Sequence, residues 1–328
     1  MSQTTLRWGL LCTANINAEI IAGAAWTDRA EIVAVASRDA ERAQAYAAER
    51  GIPISHGSYE ALLEDASVDA VYVSLPNGLH HEWTMEALAA GKHVLCEKPY
   101  SRHPSEVEEA FAAAHDAGLV LMEAFMYRHH PQTHLVEGLV RDGAVGRLVS
   151  VAATFTFPLT DLSNGRAQPS LDGGALMDVG CYCVSGSRLL AGEPLSVHGE
   201  QVTGETGIDM ALYGTMRFAD DVVALFDASF RAPRRQRLEV VGEEGVLVVE
   251  APWRVDWPGD VLLVRGEGEV ETVEVPEVNS YRLELENMAD AVSGAGTALL
   301  GRADALGQAR AIDALYRSAA DGRAVAMG

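Results

Sequence analysis

The first 125 residues alternate between short apolar strand-like segments and helix-like segments, and this order restricts the fold more than any other feature of the sequence. Strands that are separated by helices form a parallel sheet covered by helices. Gly51, Gly91 and Gly118 each follow a predicted helix, where helices commonly end. The predicted strands are Leu6–Leu11, Glu31–Ala36, Ala70–Leu75, His93–Cys96 and Leu119–Met122; the predicted helices are Ile16–Trp26, Asp39–Arg50, the segment ending at Ala90, and Ser105–Ala117. We therefore expect a doubly wound α/β domain over residues 1–125.

The pattern changes after about Glu123. A helix over Gln132–Arg141, a strand over Leu148–Phe157, a loop rich in Pro, Asn, Gly and Asp, and a helix over Ala175–Leu190 come first. Further strands are predicted over Ser196–Val202, Met210–Phe218, Val222–Phe230, Arg237–Val241, Val246–Glu250, Val261–Arg265 and Thr272–Val275, and final helices over Ser280–Val292 and Ala303–Ala320. Consecutive strands without intervening helices form antiparallel sheets. Residues 126–328 are therefore predicted to form an α+β domain with a large, mainly antiparallel sheet.

Charge and composition exclude several functions. The net charge of −22 disfavours a nucleic-acid partner, because such proteins present basic surfaces to phosphates. The sequence has neither the pattern of a signal peptide nor an apolar stretch of about 18 residues, so we expect a cytoplasmic protein without a membrane partner. Cys181 and Cys183 lack a second Cys/His pair at metal-ligand spacing. We expect buried cysteines, no disulfide framework and no metal.

The segment after the first predicted strand lies where a dinucleotide-binding Rossmann fold has its G-x-G-x-x-G turn. Its three motif positions hold Cys12, Ala14 and Asn17. Small side chains at the first two positions still allow a close backbone approach, and we expect Asn15 to cap the next helix. On its own this is a weak signal for a dinucleotide. The predicted cofactor contacts of the turn are Cys12, Thr13, Ala14, Asn15 and Ile16.

The end of the second predicted strand favours NADP over NAD. NAD enzymes usually carry Asp or Glu there to bind the ribose 2′-hydroxyl. This chain has Ser37 and Arg38, followed one helical turn later by Arg42. A hydroxyl and two guanidinium groups suit a 2′-phosphate. The alternative is that both arginines are ordinary surface residues at a helix start, and NAD stays possible.

Lys98 is the main catalytic candidate. Of 25 basic residues only Lys92 and Lys98 are lysines, which leaves 25 − 2 = 23 arginines. Unlike arginine, a lysine directly after an apolar strand is able to exchange a proton near neutral pH. The alternative is a salt bridge to a neighbouring carboxylate. The predicted cofactor contacts at the ends of this and the preceding strand are Leu75, Pro76, Asn77, His80, Glu97 and Lys98.

Asp178 and Tyr182 open a predicted helix of the second domain. They are four residues apart and therefore lie on one face of the helix. An acid and a phenol could orient and deprotonate a substrate hydroxyl. The alternative is a helix cap and a buried aromatic side chain.

Three segments together resemble the glucose–fructose oxidoreductase/inositol dehydrogenase/MocA family over essentially the whole chain. They are Glu97-Lys98-Pro99, Pro76-Asn77-x-x-His80 and Asp178-x-Gly180-x-Tyr182. The resemblance implies NAD(P)-dependent oxidation or reduction of sugars, cyclitols and related alcohols. It also implies that Lys98 is the catalytic lysine and Asp178 the substrate-side acid, and that Tyr182 stands where many members have His.

Tyr182 and the Asn164-x-Arg166-x-x-Pro169 loop look most like the branch of trans-dihydrodiol dehydrogenases and NADP-dependent D-xylose dehydrogenases. The chain departs from the family in the three missing motif glycines and in Gly165 of that loop. The implied substrate residues are Tyr127, Arg128, Phe157, Asn164, Arg166, Asp178 and Tyr182. The resemblance further implies a homodimer or homotetramer that packs through the C-terminal sheet.

The expected reaction is hydride transfer between nicotinamide and a sugar carbon, with the anomeric carbon favoured. Tyr182 would take the hydroxyl proton with help from Lys98, while Asp178 orients the substrate. One alternative is a glycosidase that uses bound NAD(H) transiently, against which the Arg38 and Arg42 pair speaks. The other is a non-catalytic NADP-sensing regulator, against which the complete set of Lys98, Asp178 and Tyr182 speaks.

Overall fold

A computed structural model describes residues 5–254, 259–266 and 268–327 of the chain. The chain divides into two compact units. The first contains Met1–His129 and Asn279–Leu306, and the second contains His130–Val278 and Gly307–Gly328. The sequence analysis placed everything after residue 125 in the second domain, whereas residues 279–306 belong to the first unit.

The first unit contains a parallel sheet, which has six strands in the described part of the chain. The strands are β1 (Leu6–Leu11), β2 (Ala30–Ala36), β3 (Ile54–His56), β4 (Ala70–Val73), β5 (His93–Glu97) and β6 (Leu121–Ala124). The helices between them are α1 (Asn17–Ala24), α2 (Ala40–Arg50), α3 (Tyr59–Leu63), α4 (His80–Ala89) and α5 (Pro104–Asp116). In the strand order β3-β2-β1-β4-β5-β6, successive strands are added toward one edge from β1 to β3 and toward the other edge from β4 to β6. Such sheets bind ligands where this direction changes, here between β1 and β4.

Local capping explains where several of these helices begin and end. Asp39 Oδ1 accepts a hydrogen bond from Arg42 N at 3.0 Å and starts α2, and Gly51 ends it with a φ of 68°. The expected cap by Asn15 is wrong. Helix α1 begins at Asn17 without a side-chain cap, after a tight turn in which Asn17 N donates to Ala14 O at 3.2 Å.

The second unit contains a sheet of nine strands among the described residues. Its elements are α6 (Pro131–Arg141), β7 (Leu148–Thr156), α7 (Cys181–Ala191), β8 (Ser196–Thr203), β9 (Asp209–Arg217), β10 (Val223–Ser229), β11 (Arg235–Gly242), β12 (Gly245–Val249), β13 (Val261–Arg265), β14 (Glu269–Val273) and β15 (Val325–Ala326). The order is β14-β13-β12-β11-β7-β10-β9-β8-β15, and the strands pair antiparallel except for β7 and β10, which are parallel. The predicted mainly antiparallel sheet is confirmed.

The two halves of the predicted helix Ala175–Leu190 differ in winding. Leu176–Gly180 forms one π-helical turn that leads directly into α7. Such wide turns often occur at functional sites. Helix α7 packs so closely on the side chain of Trp253 that a Cβ on Gly186 would lie 2.6 Å from its ring.

Two helices lie between β14 and β15 in sequence, α8 (Ser280–Ser293) and α9 (Arg302–Asp321). Helix α8 belongs to the first unit and packs against α1. The approach is close, since a Cβ on Gly23 would lie 2.8 Å from Arg282 N. Helix α8 therefore completes the interior of the Rossmann domain although it is encoded far from it.

Candidate active site

The turn between β1 and α1 keeps the backbone of a glycine-rich turn without its glycines. Cys12 has a φ of 135°, a conformation that favours glycine. Its Sγ donates to Ser74 O at 3.2 Å, so the side chain points toward the end of β4. Burial raises the pKa of the Cys12 thiol, which is therefore neutral at pH 7.

Asn17 holds this turn in place, a role that the sequence analysis missed. Its side chain is fully buried, its Nδ2 donates to Cys12 O at 2.7 Å, and its Oδ1 accepts from Ser74 Oγ at 2.6 Å. The third motif position thus links β1 to β4 through an amide instead of allowing close packing through a glycine. A polar residue at that motif position was the signal, but its partner lies 57 residues away.

The predicted 2′-phosphate residues lie together after β2. Ser37 is buried and Arg38 and Arg42 are exposed. The positive charges of Arg38 and Arg42 each act to lower the pKa of the Cys12 thiol, although the opposite effect of burial is larger. Both charges are therefore close enough to the turn to act on it. The carboxylate of the intervening Asp39 caps α2. Two cations and a hydroxyl beside a helix N-terminus fit the charge of a dinucleotide that carries an additional phosphate.

Lys98 follows β5 directly and is partly exposed. The preceding Glu97 fixes its backbone, because Glu97 Oε2 accepts a hydrogen bond from Lys98 N at 3.2 Å. Glu97 Oε1 accepts a second hydrogen bond from Tyr72 Oη on the neighbouring strand β4. The strand end that carries Lys98 is therefore anchored from inside the sheet.

His80 joins the two loops that follow β4 and β5. It is fully buried, with Nε2 at 2.8 Å from Leu75 O and Nδ1 at 3.0 Å from Pro99 O. Burial lowers the pKa of His80 to about 4, so its ring is neutral at pH 7. A neutral ring has one N–H, so His80 donates to one of these two carbonyl oxygens and only contacts the other. The ring thus lies between the Leu75–His80 segment and the turn that carries Lys98. Of the other predicted contacts there, Leu75 is buried, Asn77 partly exposed and Pro76 exposed.

The structure places Tyr127 and Arg128 inside the first unit. Tyr127 is buried with its ring edge-on to Phe125 at 6.0 Å. Arg128 Nη1 lies 3.4 Å from Asp304 Oδ1. Both side chains thus take part in internal packing and pairing of the unit.

In the second unit, hydrogen bonds link three predicted substrate residues, Asn164, Arg166 and Asp178. Asn164 Oδ1 accepts a hydrogen bond from Arg166 N at 3.0 Å, which shapes the loop. Arg166 Nε donates to Asp178 Oδ2 at 2.7 Å. Asp178 lies in the π-helical turn and its side chain is 14% exposed. Because the guanidinium holds one carboxylate oxygen, the acid is oriented before any substrate arrives.

Asp209, which the sequence analysis did not identify, anchors the start of that turn. Asp209 Oδ2 accepts from Leu176 N at 2.7 Å and Oδ1 accepts from Tyr316 Oη at 2.9 Å. A Cβ at Gly174, whose φ is 135°, would lie 2.0 Å from Asp209 Oδ1. Glycine is thus required for the carboxylate to reach the helix start.

Tyr182 is held by aromatic neighbours. It is buried, and its ring centroid lies 5.4 Å from that of Phe155 and 6.2 Å from that of Trp253. Phe157 packs instead on Phe230, at 5.0 Å between centroids. The phenol thus belongs to a packed aromatic cluster on the inner side of β7.

No group of three or more His, Cys, Asp or Glu side chains is arranged to hold a metal ion within the described ranges. No helix in that part of the chain is long and apolar enough to cross a membrane. Cys181 and Cys183 are buried, as the sequence analysis expected.

The fold and these residues define a class, a two-domain oxidoreductase with a dinucleotide-binding Rossmann domain. The profile described as "Oxidoreductase family, NAD-binding Rossmann fold" matches residues 6–125, and that of the GFO/IDH/MocA C-terminal domain matches residues 134–248. The chain belongs to the GFO/IDH/MocA oxidoreductase family. The family that the sequence motifs indicated is therefore confirmed.

Three relatives are similar over most of the chain. A D-xylose 1-dehydrogenase (NADP(+)) of Haloferax volcanii is 41% identical over 98% of this chain and 99% of its own length. A trans-1,2-dihydrobenzene-1,2-diol dehydrogenase of Homo sapiens is 34% identical over 80% of this chain and 78% of its own. The crystal structure of a 3-ketoreductase from Actinomadura kijaniata with NADP and TDP-benzene superimposes with a TM-score of 0.91 at 30% identity, covering 96% of this chain and 98% of that one.

The bridge between Asn17 and Ser74 gives a first prediction. We expect Asn17→Ala to weaken NADPH binding about five- to thirty-fold, because two hydrogen bonds that a buried side chain makes to shape the turn are lost. Ser74→Ala should weaken binding less in the Asn17→Ala background than in the wild type. Fluorescence titration of NADPH measures both. Gln132→Ala is the control, since it removes a buried amide bonded to Ala251 O in the second unit. Unchanged affinity in Asn17→Ala would contradict the role of the bridge.

Proposed function

We propose that the chain is an NADP-dependent dehydrogenase or reductase of the aldose 1-dehydrogenase type, acting on a hydroxyl or carbonyl group of a sugar or cyclic diol. The end-to-end similarity to an enzyme named for NADP and D-xylose carries the proposal, because it spans both units. The diol dehydrogenase relative supports the wider substrate class.

The first unit offers the residues that would hold the cofactor. The turn from Cys12 to Ile16 precedes the N-terminus of α1, which suits a pyrophosphate. Ser37, Arg38 and Arg42 would take the 2′-phosphate. Bound NADP would supply the acceptor for the hydride that leaves the substrate carbon during oxidation.

The remaining chemistry falls to side chains of the protein. During oxidation the substrate hydroxyl must lose a proton as its carbon loses a hydride, and we assign Tyr182 as the proton acceptor. Lys98 assists by exchanging a proton and by its positive charge. Asp178, oriented by Arg166, accepts a hydrogen bond from a substrate hydroxyl. In the reductive direction Tyr182 returns the proton.

The positive charges of Arg38 and Arg42, which follow β2, predict a preference for NADP over NAD. NADP should bind at least about tenfold more tightly than NAD, since each charge-assisted contact to the 2′-phosphate contributes roughly 1.5–3 kcal/mol. Arg42→Ala should remove most of this preference and leave NAD binding nearly unchanged, whereas Arg141→Ala, an exposed arginine of the second unit, should change neither. Calorimetric titration with both cofactors measures the difference. Equal affinities for NADP and NAD in the wild type would contradict the assignment.

Lys98→Arg is the mildest test of the catalytic lysine, because it keeps the charge and removes the proton exchange. We expect kcat to fall by roughly 10²–10⁴ while NADPH still binds. Lys92→Arg is the matched control. Lys92 Nζ donates to Asp65 O and Val68 O, both at 2.8 Å, so its loss should affect stability and leave kcat of the folded enzyme near normal.

Steady-state kinetics with a panel of aldoses, ketosugars and diols serves this test and also tests the alternatives. Net reduction of NADP⁺ is expected with at least one substrate. Turnover without a net change in nicotinamide absorbance would favour the glycosidase. A near-normal kcat in Lys98→Arg would refute the catalytic lysine, and NADP binding without turnover would favour the regulator.

We also propose a homodimer or homotetramer joined through the open face of the C-terminal sheet. Leu225 is 50% and Tyr213 46% exposed, and the register of β10 with β9 puts them on one face. Exposed apolar side chains grouped on a sheet face commonly mark an interface. Light scattering at micromolar concentration should show an oligomer that Leu225→Arg weakens. Trp26→Arg, at an exposed tryptophan of the first unit, should leave the mass unchanged. A monomeric wild type would refute the proposal.

A cytoplasmic location completes the proposal. None of the four cysteines, which all lie in the described part of the chain, forms a disulfide, and this is usual in a reducing compartment. The net charge of −22 fits a small-molecule substrate better than a nucleic-acid or anionic membrane partner.

A further inference from the structure

Glu123 on β6 is a buried carboxyl group to which the proposed reaction assigns no role. The residue is 1% exposed. Its Oε1 accepts a hydrogen bond from Tyr100 N at 2.8 Å, and Tyr100 is the second residue after Lys98. Loss of the acceptor would leave a buried backbone N–H unsatisfied, which is strongly unfavourable. Glu123 is therefore placed to hold the backbone that follows the proposed catalytic lysine.

The segment Lys98-Pro99-Tyr100, which we call the Lys98 turn, has two backbone N–H groups, since proline has none. Both groups donate to carboxyl oxygens at the ends of adjacent strands. Glu97 Oε2 accepts from Lys98 N at 3.2 Å, and Glu123 Oε1 accepts from Tyr100 N. The turn is thus held at its first and at its last residue.

The two carboxyl groups approach the Lys98 turn from opposite faces of the sheet. In the parallel register of β5 and β6, Cys96 is paired with Glu123, and Glu97 is paired with Ala124. Paired residues lie on the same face of a sheet, and successive residues of a strand alternate between the two faces. Glu97 and Glu123 therefore lie on opposite faces. A turn that is bonded from both faces cannot tilt toward either one without losing a hydrogen bond.

The acceptor and the donor of this hydrogen bond are each fixed by other contacts. Glu123 N donates to Leu300 O at 3.3 Å, which ties the edge strand β6 to the segment between α8 and α9. The side chain of Tyr100 is buried. Its Oη lies 3.1 Å from His81 Nδ1 on α4, and its ring packs edge-on against Phe111 on α5, with 6.3 Å between centroids. The bond therefore joins two rigid groups and defines where the turn lies.

We propose that Glu123 is a positioning residue for Lys98: its Oε1 holds Tyr100 N and, together with Glu97, fixes the backbone from which the lysine side chain extends. The inference rests on the proposed function for its effect on turnover, whereas the hydrogen bond itself can be tested without turnover. A displacement of about 1 Å in an active site can lower the rate about a hundredfold. Loss of the bond should lower kcat and change cofactor affinity little, because the turn after β1 and the arginines after β2 lie on other strands.

Three substitutions of Glu123 in the full chain test the positioning role. Glu123→Leu removes the acceptor, and kcat should fall about ten- to hundred-fold while the Kd of NADPH, measured by fluorescence, changes less than about threefold. Glu123→Gln keeps an oxygen acceptor at the same reach, so kcat should stay within about threefold of the wild type. Glu123→Asp withdraws the acceptor by one methylene and should lower kcat as Glu123→Leu does. It takes the place of Glu123→Leu if that variant does not fold.

His93→Leu is the matched control. His93 begins β5, and its Nδ1 accepts a hydrogen bond from Val120 N, just before β6, at 3.0 Å. It is the same kind of bond between the same two strands, but at their amino ends, opposite to Lys98. Its loss should lower the stability of the fold and leave kcat of the folded enzyme near normal. Equal losses of kcat in His93→Leu and Glu123→Leu would overturn the positioning role.

Hydrogen exchange followed by mass spectrometry tests the bond independently of catalysis. In Glu123→Leu the peptide over residues 96–101 should exchange about tenfold faster or more, and in Glu123→Gln at nearly the wild-type rate. Unchanged exchange in Glu123→Leu would overturn the anchoring of the turn, and faster exchange with a normal kcat would overturn the positioning role. If Lys98→Arg keeps normal turnover while exchange responds as expected, the catalytic assignment of Lys98 fails and the anchoring by Glu123 stands.

Discussion

The carboxylate of Glu97 fixes the backbone at the end of β5, where Lys98 follows. It ends β5, accepts a hydrogen bond from Tyr72 on the adjacent strand and holds the backbone of Lys98. A parallel sheet brings the carboxyl ends of its strands to one edge, and a side chain at that edge is only as well placed as the strand end beneath it. These hydrogen bonds therefore fix the backbone from which the partly exposed Lys98 side chain extends. His80 adds a second link, between the loops after β4 and β5.

The second unit follows the same principle with different elements. Asp209 on β9 binds the start of the π-helical turn, and Arg166 from the preceding loop binds the Asp178 carboxylate within it. The aromatic cluster around Tyr182 restricts the phenol. In the proposed function, an acid and a phenol with fixed orientations would lose little conformational freedom on binding a polyhydroxylated substrate. The wide turn also leaves a backbone geometry that a regular helix would not provide.

Much of the fold of the first unit was predictable from sequence, because alternating strands and helices form a parallel sheet whose ligands bind at the carboxyl ends of the strands. The candidates Lys98, Arg38 and Arg42 follow from their positions after strands. The short elements β3 and α3 were missed, since three and five residues carry too little periodicity. The π-helical turn and the return of residues 279–306 depend on tertiary packing. Asn17 and Asp209 were missed for one shared reason: each acts through a partner on another element, and sequence spacing gives no information about such pairs.

The two lysines of this chain have opposite accessibility, and this has a practical consequence for chemical modification. Lys92 is buried, and its ammonium group is bonded to two backbone carbonyls. Lys98 is partly exposed at the end of β5. Reagents that acylate amines, or supports that couple proteins through lysine, will therefore find one principal lysine target, and it is the lysine that we propose as catalytic. Arginine- or carboxylate-directed coupling avoids this conflict, and 47 acidic residues offer ample attachment points.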